Sequence, residues 1–355
     1  MEKKKRIKRV FIFFIISVLG WLIVFQDNVK SSENYPINRK VEQIEELVLS
    51  PDGKKLAVAL WDKFHKANLG IILIETGAVK KLTSHSECIS CLSWSPDSTH
   101  IYYRKSFDIY SYNLSQNDEV FLWKRKDNEF TGKVSVSPKG NLIGFTLRSF
   151  SEKSAEVPPK DVWIKDIKSK KMEQITTGGI AYWGGWCWSN DGEKFFYSKE
   201  GFDGIYEINV KTKKEKMVMD NFIISSSDIV FSPDGKQLFL YDTKSENFYI
   251  ISFLPAPTVI FTGDNNYVVS AAWAPSGDKL GFYKLEKGKW NLWIIENGGE
   301  TQKRTGEFSV PKGFLTRLCW LSDTEIIFSP DGKTIWDKNL ITGESRKISD
   351  PSQWK

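Results

Sequence analysis

The chain has 355 residues, enough for one large or two ordinary domains, and 14% of them are aromatic, including 14 Trp, so a core of real size can be built. Its formal charge is +6, but Met1–Arg9 sets six basic residues against Glu2 and supplies +5, which leaves +1 for everything after it. The excess therefore marks the N-terminus, and the folded part carries no basic excess of the kind a nucleic-acid binder needs.

Residues 1–9, MEKKKRIKR, read as a basic flank on the cytoplasmic side. Val10–Phe25, VFIFFIISVLGWLIVF, is sixteen residues without a charge. As a helix it spans about 24 Å, at about 1.5 Å per residue. A bilayer core of about 30 Å takes nearer 20 residues. Gln26 to Val29 extend the segment to 10–29, with Trp21 suited to an interface. A cleaved signal peptide is the alternative. The following QDNVKSSENYP has no A-x-A pattern, and no cysteine follows Gly20 as a lipoprotein site requires. A retained signal-anchor helix is expected, with the N-terminus in the cytoplasm, the remainder extracytoplasmic, and a bacterial cell membrane as the setting. Residues 30–44 read as a linker, of which Tyr35–Ile44 shows weak apolar alternation.

From residue 45 to 349 one motif recurs. It reads VLSPDGKKLAVAL at Val48–Leu60, LSWSPDSTHIYY at Leu92–Tyr103 and VSVSPKGNLIGF at Val134–Phe145. It continues as WCWSNDGEKFFYS at Trp186–Ser198, IVFSPDGKQLFLY at Ile229–Tyr241 and AAWAPSGDKLGFY at Ala271–Tyr283, and ends in a worn LCWLSDTEIIF at Leu318–Phe328. The Pro positions, 51, 96, 138, 190 (Asn), 233, 275 and 322 (Ser), are 45, 42, 52, 43, 42 and 47 apart. A period in the low forties, built of short strands, points to propeller blades. Pro sets the first turn position, Asp suits the second, and Gly takes the left-handed position that follows. The residues cast in this structural role are Ser50, Pro51, Asp52, Gly53, Pro96, Asp97, Pro138, Gly140, Asp191, Gly192, Pro233, Asp234, Gly235, Pro275 and Gly277. A second signal follows each turn, such as DIYSYNLS at Asp108–Ser115 or NLWIIENGG at Asn291–Gly299, and then a short basic-polar strand such as VKKLT at Val79–Thr83. Four strands per unit and seven units make an all-β, seven-bladed propeller of four-stranded antiparallel blades, preceded by one transmembrane helix. Residues 350–355 are a tail.

FSPDGK occurs twice, at Phe231–Lys236 and Phe328–Lys333. The first is in register. The second reads as a turn of the same chemistry between strands two and three of the last blade. That blade closes either on its own four strands or with an outer strand from Tyr35–Ile44.

These S-P-D-G turns, each followed by a K-x-L-x-F strand and a D-I-W-x-x-D-like strand, resemble the TolB-like propeller family over roughly residues 45–349. The resemblance implies a disc with a central channel, often a protein-binding platform of cell envelopes. Related blades gate prolyl-oligopeptidase-type enzymes, and others form lyases that use histidines and a divalent metal at the channel mouth. The pattern departs at Ser98, Lys139, Asn190 and Ser276, and in the shortened seventh turn, which weakens any case that every turn Asp holds a ligand.

Candidate chemistry is sparse. There is no G-x-S-x-G elbow and no phosphate loop. His65, His85 and His100 form no H-x-H or H-x-x-x-H pair, although His85 lies close to Cys88 in SHSECISC. Cys88 and Cys91 fall in a strand, where residues three apart face opposite sides. Cys187 and Cys319 precede the same kind of turn and read as apolar fillers. No cofactor and no metal ligand is called. Trp94, Trp188, Trp273 and Trp320 share one slot before the turn and read as blade-to-blade packing. Tyr182, Trp183 and Trp186, in GGIAYWGGWCWSND, lie outside that pattern; they fill the core or form an exposed binding patch, with Trp61 and Trp123 as further candidates. WKRK at Trp123–Lys126 is a solvated charge run, a stretch lying near the membrane, or a surface for an acidic partner. Ser149–Asp161, with Pro158–Pro159, is a long loop that reads equally as a recognition element or a tolerated insertion. The expected function is a membrane-anchored binding or scaffold module for an envelope protein, peptide or glycan. The alternative is a metal-dependent lyase or hydrolase with its site at the channel mouth.

Overall fold

The computed structural model describes residues 43–62, 67–84, 87–150, 158–180, 185–222, 229–242, 245, 247–263, 268–287, 289–299, 301–308 and 318–350. The basic flank 1–9, the expected span 10–29, the linker up to residue 42 and the tail beyond Asp350 lie outside them. No helix among the described residues is long and apolar enough to cross a membrane.

Among the described residues, twenty-eight strands form seven four-stranded antiparallel sheets, each a consecutive meander. Blade 1 holds β1 (Gln43–Leu49), β2 (Lys55–Trp61), β3 (Ala67–Leu73) and β4 (Val79–Lys81). Blade 2 holds β5 (Ile89–Trp94), β6 (His100–Lys105), β7 (Asp108–Asn113) and β8 (Asp118–Trp123). Blade 3 holds β9 (Glu129–Val136), β10 (Leu142–Ser149), β11 (Asp161–Asp166) and β12 (Met172–Gln174). Blade 4 holds β13 (Trp186–Trp188), β14 (Lys194–Ser198), β15 (Gly204–Asn209) and β16 (Glu215–Asp220). Blade 5 holds β17 (Val230–Phe231), β18 (Gln237–Asp242), β19 (Asn247–Ser252) and β20 (Thr258–Gly263). Blade 6 holds β21 (Val268–Trp273), β22 (Lys279–Glu286), β23 (Lys289–Glu296) and β24 (Thr301–Phe308). Blade 7 holds β25 (Cys319–Ser322), β26 (Glu325–Phe328), β27 (Ile335–Asn339) and β28 (Ser345–Ser349). The expected seven blades of four strands are present, and Gln43 and Ile44, assigned to the linker from sequence, belong to the first strand.

First strands approach one another around the ring, β1 to β5, β5 to β9, β17 to β21, β21 to β25 and β25 to β1, so they are innermost. Fourth strands such as β8 and β16 are largely exposed and outermost. Second strands show why the ring holds. In KLAVALW of β2, Leu56, Val58 and Leu60 pack toward blade 7, while Ala57 and Ala59 pack toward blade 2. In β18, Leu238 and Leu240 face blade 4, and Phe239 and Tyr241 face blade 6. A strand apolar on both faces is one buried between two neighbours. The seven hydrophobic clusters are accordingly the seven blade interfaces, the one between blades 7 and 1 included. Each fully buried aliphatic or Phe side chain in them contributes about 1.5–3 kcal/mol.

Outer edges are protected locally. In blades 2, 4, 5, 6 and 7 the pairing of third and fourth strands is interrupted by a register shift, at Leu122, Val218, Ile260, Thr305 and Ile348. Such bulges twist an edge away from pairing with a further strand.

The shared Trp slot is a hydrogen-bonded stitch. The indole N–H of Trp94 donates to Val48 O at 2.9 Å, Trp188 to Ser135 O at 3.4 Å, Trp273 to Val230 O at 3.1 Å and Trp320 to Ala272 O at 2.8 Å. Each acceptor lies two residues before the Ser or Ala that opens the preceding blade's turn, so one geometry is used four times. The packing role expected for the slot is thus the observed one.

Candidate functional site

The meander puts the turns between strands one and two, and between three and four, on one face. The connections between strands two and three, and between blades, lie on the other. The two faces differ in how far their polar groups are already engaged.

The turn face binds itself. Ser50 Oγ donates to Asp52 Oδ1 at 2.5 Å, and Asp52 accepts the Lys54 amide at 3.1 Å. The same pair recurs at Ser95–Asp97 and Ser232–Asp234, at 2.5 and 2.6 Å. Burial would raise the Asp52 carboxyl, but hydrogen bonds from Ser50, the Lys54 amide and Lys55 bring it down to about 2. Gly53, Gly140, Gly192, Gly235 and Gly277 all take positive φ, as the motif requires.

The four departures from the motif are put to use between blades. Ser98, at φ 59°, accepts the Asp52 amide on Oγ at 3.0 Å. Lys139 pairs with Glu193 at 3.1 Å. Asn190 donates its side-chain amide to Ser232 O and Pro233 O at 2.8 and 2.7 Å. The Ser276 amide donates to Asp323 Oδ1 at 2.8 Å. Each joins one turn to the next, so this face spends its polar groups on the ring.

The loop face is different. Inner strands carry bulges near this end, with Glu45 as the extra residue of β1 and positive φ at Cys91 and Ser270. Burial, then the neighbouring Glu46 charge, raises the Glu45 carboxyl. Burial also raises the Cys88 thiol, with Arg104 opposing and Glu45 and Cys91 adding to the rise. Lys160 is lowered to about 8 by burial and then by Arg148, against Glu200. Over blades 2 and 3, Arg104 and Arg125 lie 5.6 and 5.4 Å from the centre of the Phe107 ring. Phe107 meets Phe130 edge-on at 5.0 Å, and Phe130 meets Phe150 at 5.3 Å.

The aromatic candidates named from sequence are not brought together. Trp186 is fully buried between blades 3 and 4, so it belongs to the core and not to an exposed patch. Trp61 packs on the cluster between blades 1 and 2, and Trp123 on that between blades 2 and 3, 5.4 Å from Phe145. Tyr182 and Trp183 lie outside the described residues, as do His65 and His85. His100 sits at the turn-face end of β6, its Nδ1 2.7 Å from Thr99 Oγ1. The four cysteines are free thiols. The Cys88–Cys91 pair does not follow simple strand alternation, because Cys91 lies in a bulge and its Sγ donates to Gly132 O at 3.6 Å. Burial pushes Cys187 up to about 12, and Cys319 is buried. Among the described residues no three His, Cys, Asp or Glu side chains converge as a metal site would need. The loop-face arginines and Phe107, Phe130 and Phe150 come together only through the fold; of these, Arg125 lay in a stretch singled out by sequence, WKRK, and Phe150 at the start of another, Ser149–Asp161.

The WD domain, G-beta repeat family matches residues 77–103, which run from the end of blade 1 into the second strand of blade 2. No curated protein matches the chain. Among solved structures, the β-propeller domain of Myceliophteria thermophila Cps50 (Swd1) is similar at TM-score 0.60 and 14% identity, covering 88% of this chain and 98% of that one. An oligogalacturonate lyase in complex with manganese is similar at TM-score 0.62 and 15% identity, over 89% and 91%. Oligogalacturonate lyase from Vibrio parahaemolyticus gives 0.63 and 13%, over 88% and 91%. At these identities the likeness is one of fold. The chain is a seven-bladed β-propeller with a WD-type repeat.

Proposed function

We propose that the chain is a TolB-like, membrane-anchored propeller of the bacterial cell envelope that binds a protein partner on its loop face. Residues 10–29 act as a single-pass signal anchor, with Met1 cytoplasmic and the blades extracytoplasmic. The observation that carries the reading is the asymmetry of the disc. Turn-face polar groups are used to join blades, whereas on the loop face the guanidinium groups of Arg104 and Arg125 lie over the Phe107 ring. A rigid repeat scaffold fixes such groups at little entropic cost on binding. The anchor keeps them at the membrane, where a weak partner is locally concentrated.

The test is amine-reactive cross-linking of the full chain in native membranes, read by mass spectrometry. Partner-linked peptides should fall on the loop-face lysines Lys124, Lys126 and Lys199. Links confined to the turn-face lysines Lys54, Lys139 and Lys236, or no reproducible partner, would contradict the reading.

The second reading is a metal-dependent lyase or hydrolase with its site at the channel mouth, favoured by the likeness to two oligogalacturonate lyases. It needs metal donors beyond those the described residues bring together. Glutamine or alanine replacements of His65 and His85 that abolish manganese binding by the full chain would favour it over the binding module. A glycan ligand is the remaining variant of the binding reading.

A further inference from the structure

Two arginines of the loop face are held by several hydrogen bonds, none of them to a carboxylate among the described residues. Arg104, near the end of β6, directs Nε and Nη2 to Ser90 Oγ at 3.2 and 2.8 Å and Nη1 to Thr131 O, in the next blade, at 2.9 Å. Arg125, between β8 and β9, directs Nη1 to the carbonyls of Lys126, Asp127 and Glu129 at 3.4, 3.0 and 3.3 Å. Both guanidinium groups lie over Phe107, and that of Arg125 also lies 5.6 Å from the centre of Phe130. The platform under them is fixed. Phe107 O accepts Thr131 Oγ1 at 2.6 Å, the Ser106 amide donates to Cys88 O at 2.7 Å, and the Phe150 amide donates to Asn128 O at 2.8 Å.

Other cations of the ring behave otherwise. Lys105 pairs with Glu119 at 2.9 Å, Lys126 with Glu129 at 3.6 Å, and Arg346 with Asp337 at 2.6 Å. The acidic groups near the two arginines are already committed or stand off. Asp108 Oδ1 takes the Arg125 main-chain amide, and Glu129 takes the Lys126 amide and ammonium. Among the described residues nothing accepts from Arg125 Nε or Nη2. Arg125 therefore presents Nε and Nη2 to a planar anion, while Arg104, whose three nitrogens each donate once to a neutral acceptor, adds positive charge. A guanidinium ordered in this way loses less entropy when it binds an anion.

We propose that Arg104, Phe107 and Arg125 form a clasp for the carboxylates of an acidic peptide segment; this rests on the reading of the loop face as a binding surface. A peptide is favoured over a sugar acid by the state of the aromatic rings. Guanidinium groups lie over the Phe107 ring and, from Arg125, over the Phe130 ring as well, so a pyranose stacking on either of these two rings would compete with them. The rim is apolar, with Phe150 36% exposed, and suits the methylenes of a Glu side chain.

The probe is a fluorescein-labelled peptide of six glutamates, with the six-glutamine peptide as control, titrated by anisotropy into the detergent-solubilised full chain at low ionic strength. The glutamate peptide should bind and the glutamine peptide should not. Arg125→Gln should weaken binding by about tenfold or more, the loss of a charge-assisted pair. Lys126→Gln should weaken it less than about twofold, because that ammonium is already engaged and exposed. Arg104→Gln should act like Arg125→Gln. Arg104 joins two strands of neighbouring blades, so Arg125→Gln, whose side-chain hydrogen bonds reach only the β8–β9 connection and the first residue of β9, carries the test if the former fails to fold. No binding of the glutamate peptide would overturn the clasp, and so would equal weakening by Lys126→Gln. Arginine-dependent binding of a labelled galacturonate trimer without peptide binding would overturn the choice of ligand. If the clasp fails while membrane cross-linking still recovers a partner on Lys124 or Lys126, the loop-face reading stands without it.

Discussion

The main-chain amide of Ile44, in the first strand of the ring, donates to the carbonyl of Gly332, in the last blade, at 2.7 Å. Gly332 belongs to the second FSPDGK stretch, which connects β26 to β27 on the loop face. The two copies share a left-handed glycine, Gly235 at φ 73° and Gly332 at φ 69°. Their interiors differ. In both the Asp accepts the amide of the Lys two residues on, at 3.1 Å from Lys236 and 2.8 Å from Lys333, but Asp234 also takes the Ser232 hydroxyl, whereas Asp331 takes the Thr334 amide at 2.7 Å. The out-of-register copy is thus a seam contact. Blade 7 is complete with its own four strands, and the seam is filled by Ile44, Leu47, Cys319, Ile327, Ile335 and Ile348.

The seam gives a paired test. Gly53 and Gly77 have φ of 69° and 68°, so Ala strains both backbones alike, by about 1–2 kcal/mol. A Cβ at Gly53 meets nothing within 4 Å, whereas one at Gly77 in blade 1 meets Ile348 O of blade 7 at 2.6 Å. Gly77→Ala should therefore destabilise by about 1–3 kcal/mol more than Gly53→Ala. Equal losses in chemical denaturation would mean that blades 1 and 7 do not close as described.

The Trp stitches differ in length, and that difference is measurable. Trp320→Phe and Trp188→Phe remove similar volume, but the first loses a 2.8 Å bond and the second a 3.4 Å bond. A buried carbonyl left without its donor costs about 1–3 kcal/mol. Trp320→Phe should lower stability more than Trp188→Phe.

Trp186 tests core against surface. It is fully buried, 5.0 Å from Phe195, and a Cβ at Gly144 would come within 2.9 Å of its ring. Trp186→Ala should cost about 3–5 kcal/mol, as cavity-forming aromatic truncations do. Gly144→Ala should cost about 1–3 kcal/mol by overpacking. A neutral Trp186→Ala in thermal melting would return this residue to the surface.

Acid should loosen the turn ring. Asp52 is brought to about 2, and Asp97, Asp191, Asp234 and Asp323 are also lowered, against an ordinary 3.8. For Asp97 the Ser95 hydroxyl is the largest cause, and for Asp323 the Ser276 amide. A carboxyl depressed on folding contributes stability that is present above its unfolded value and is lost as pH falls through its folded value. The melting temperature should be insensitive to these groups above pH about 5 and fall between pH about 4 and 2. Asp52→Asn should flatten that fall, and an unchanged slope would remove Asp52 from the account.

What the sequence disclosed and what it hid follow from range. The turns are local, since Pro, Asp and Gly act within four residues, so seven blades and the misplaced second FSPDGK could be read directly. The Trp slot was legible because it repeats. The bulge at Cys91 was not, because a single left-handed residue in a strand leaves no periodic trace. Nor was the meeting of Arg104 with Arg125 over Phe107, which depends on how the β6–β7 turn and the β8–β9 connection converge. Trp186 drew attention by composition alone, and burial decided its role.

The most direct measurement is site-specific photo-cross-linking of the full chain in its membrane, with benzoylphenylalanine placed either at Phe150 on the loop face or at Ile341 on the turn face. Both positions are exposed, at 36% and 78%. The account predicts that one envelope protein is captured from position 150 and not from position 341. Capture from 341 alone, or from neither, would contradict a loop-face binding module.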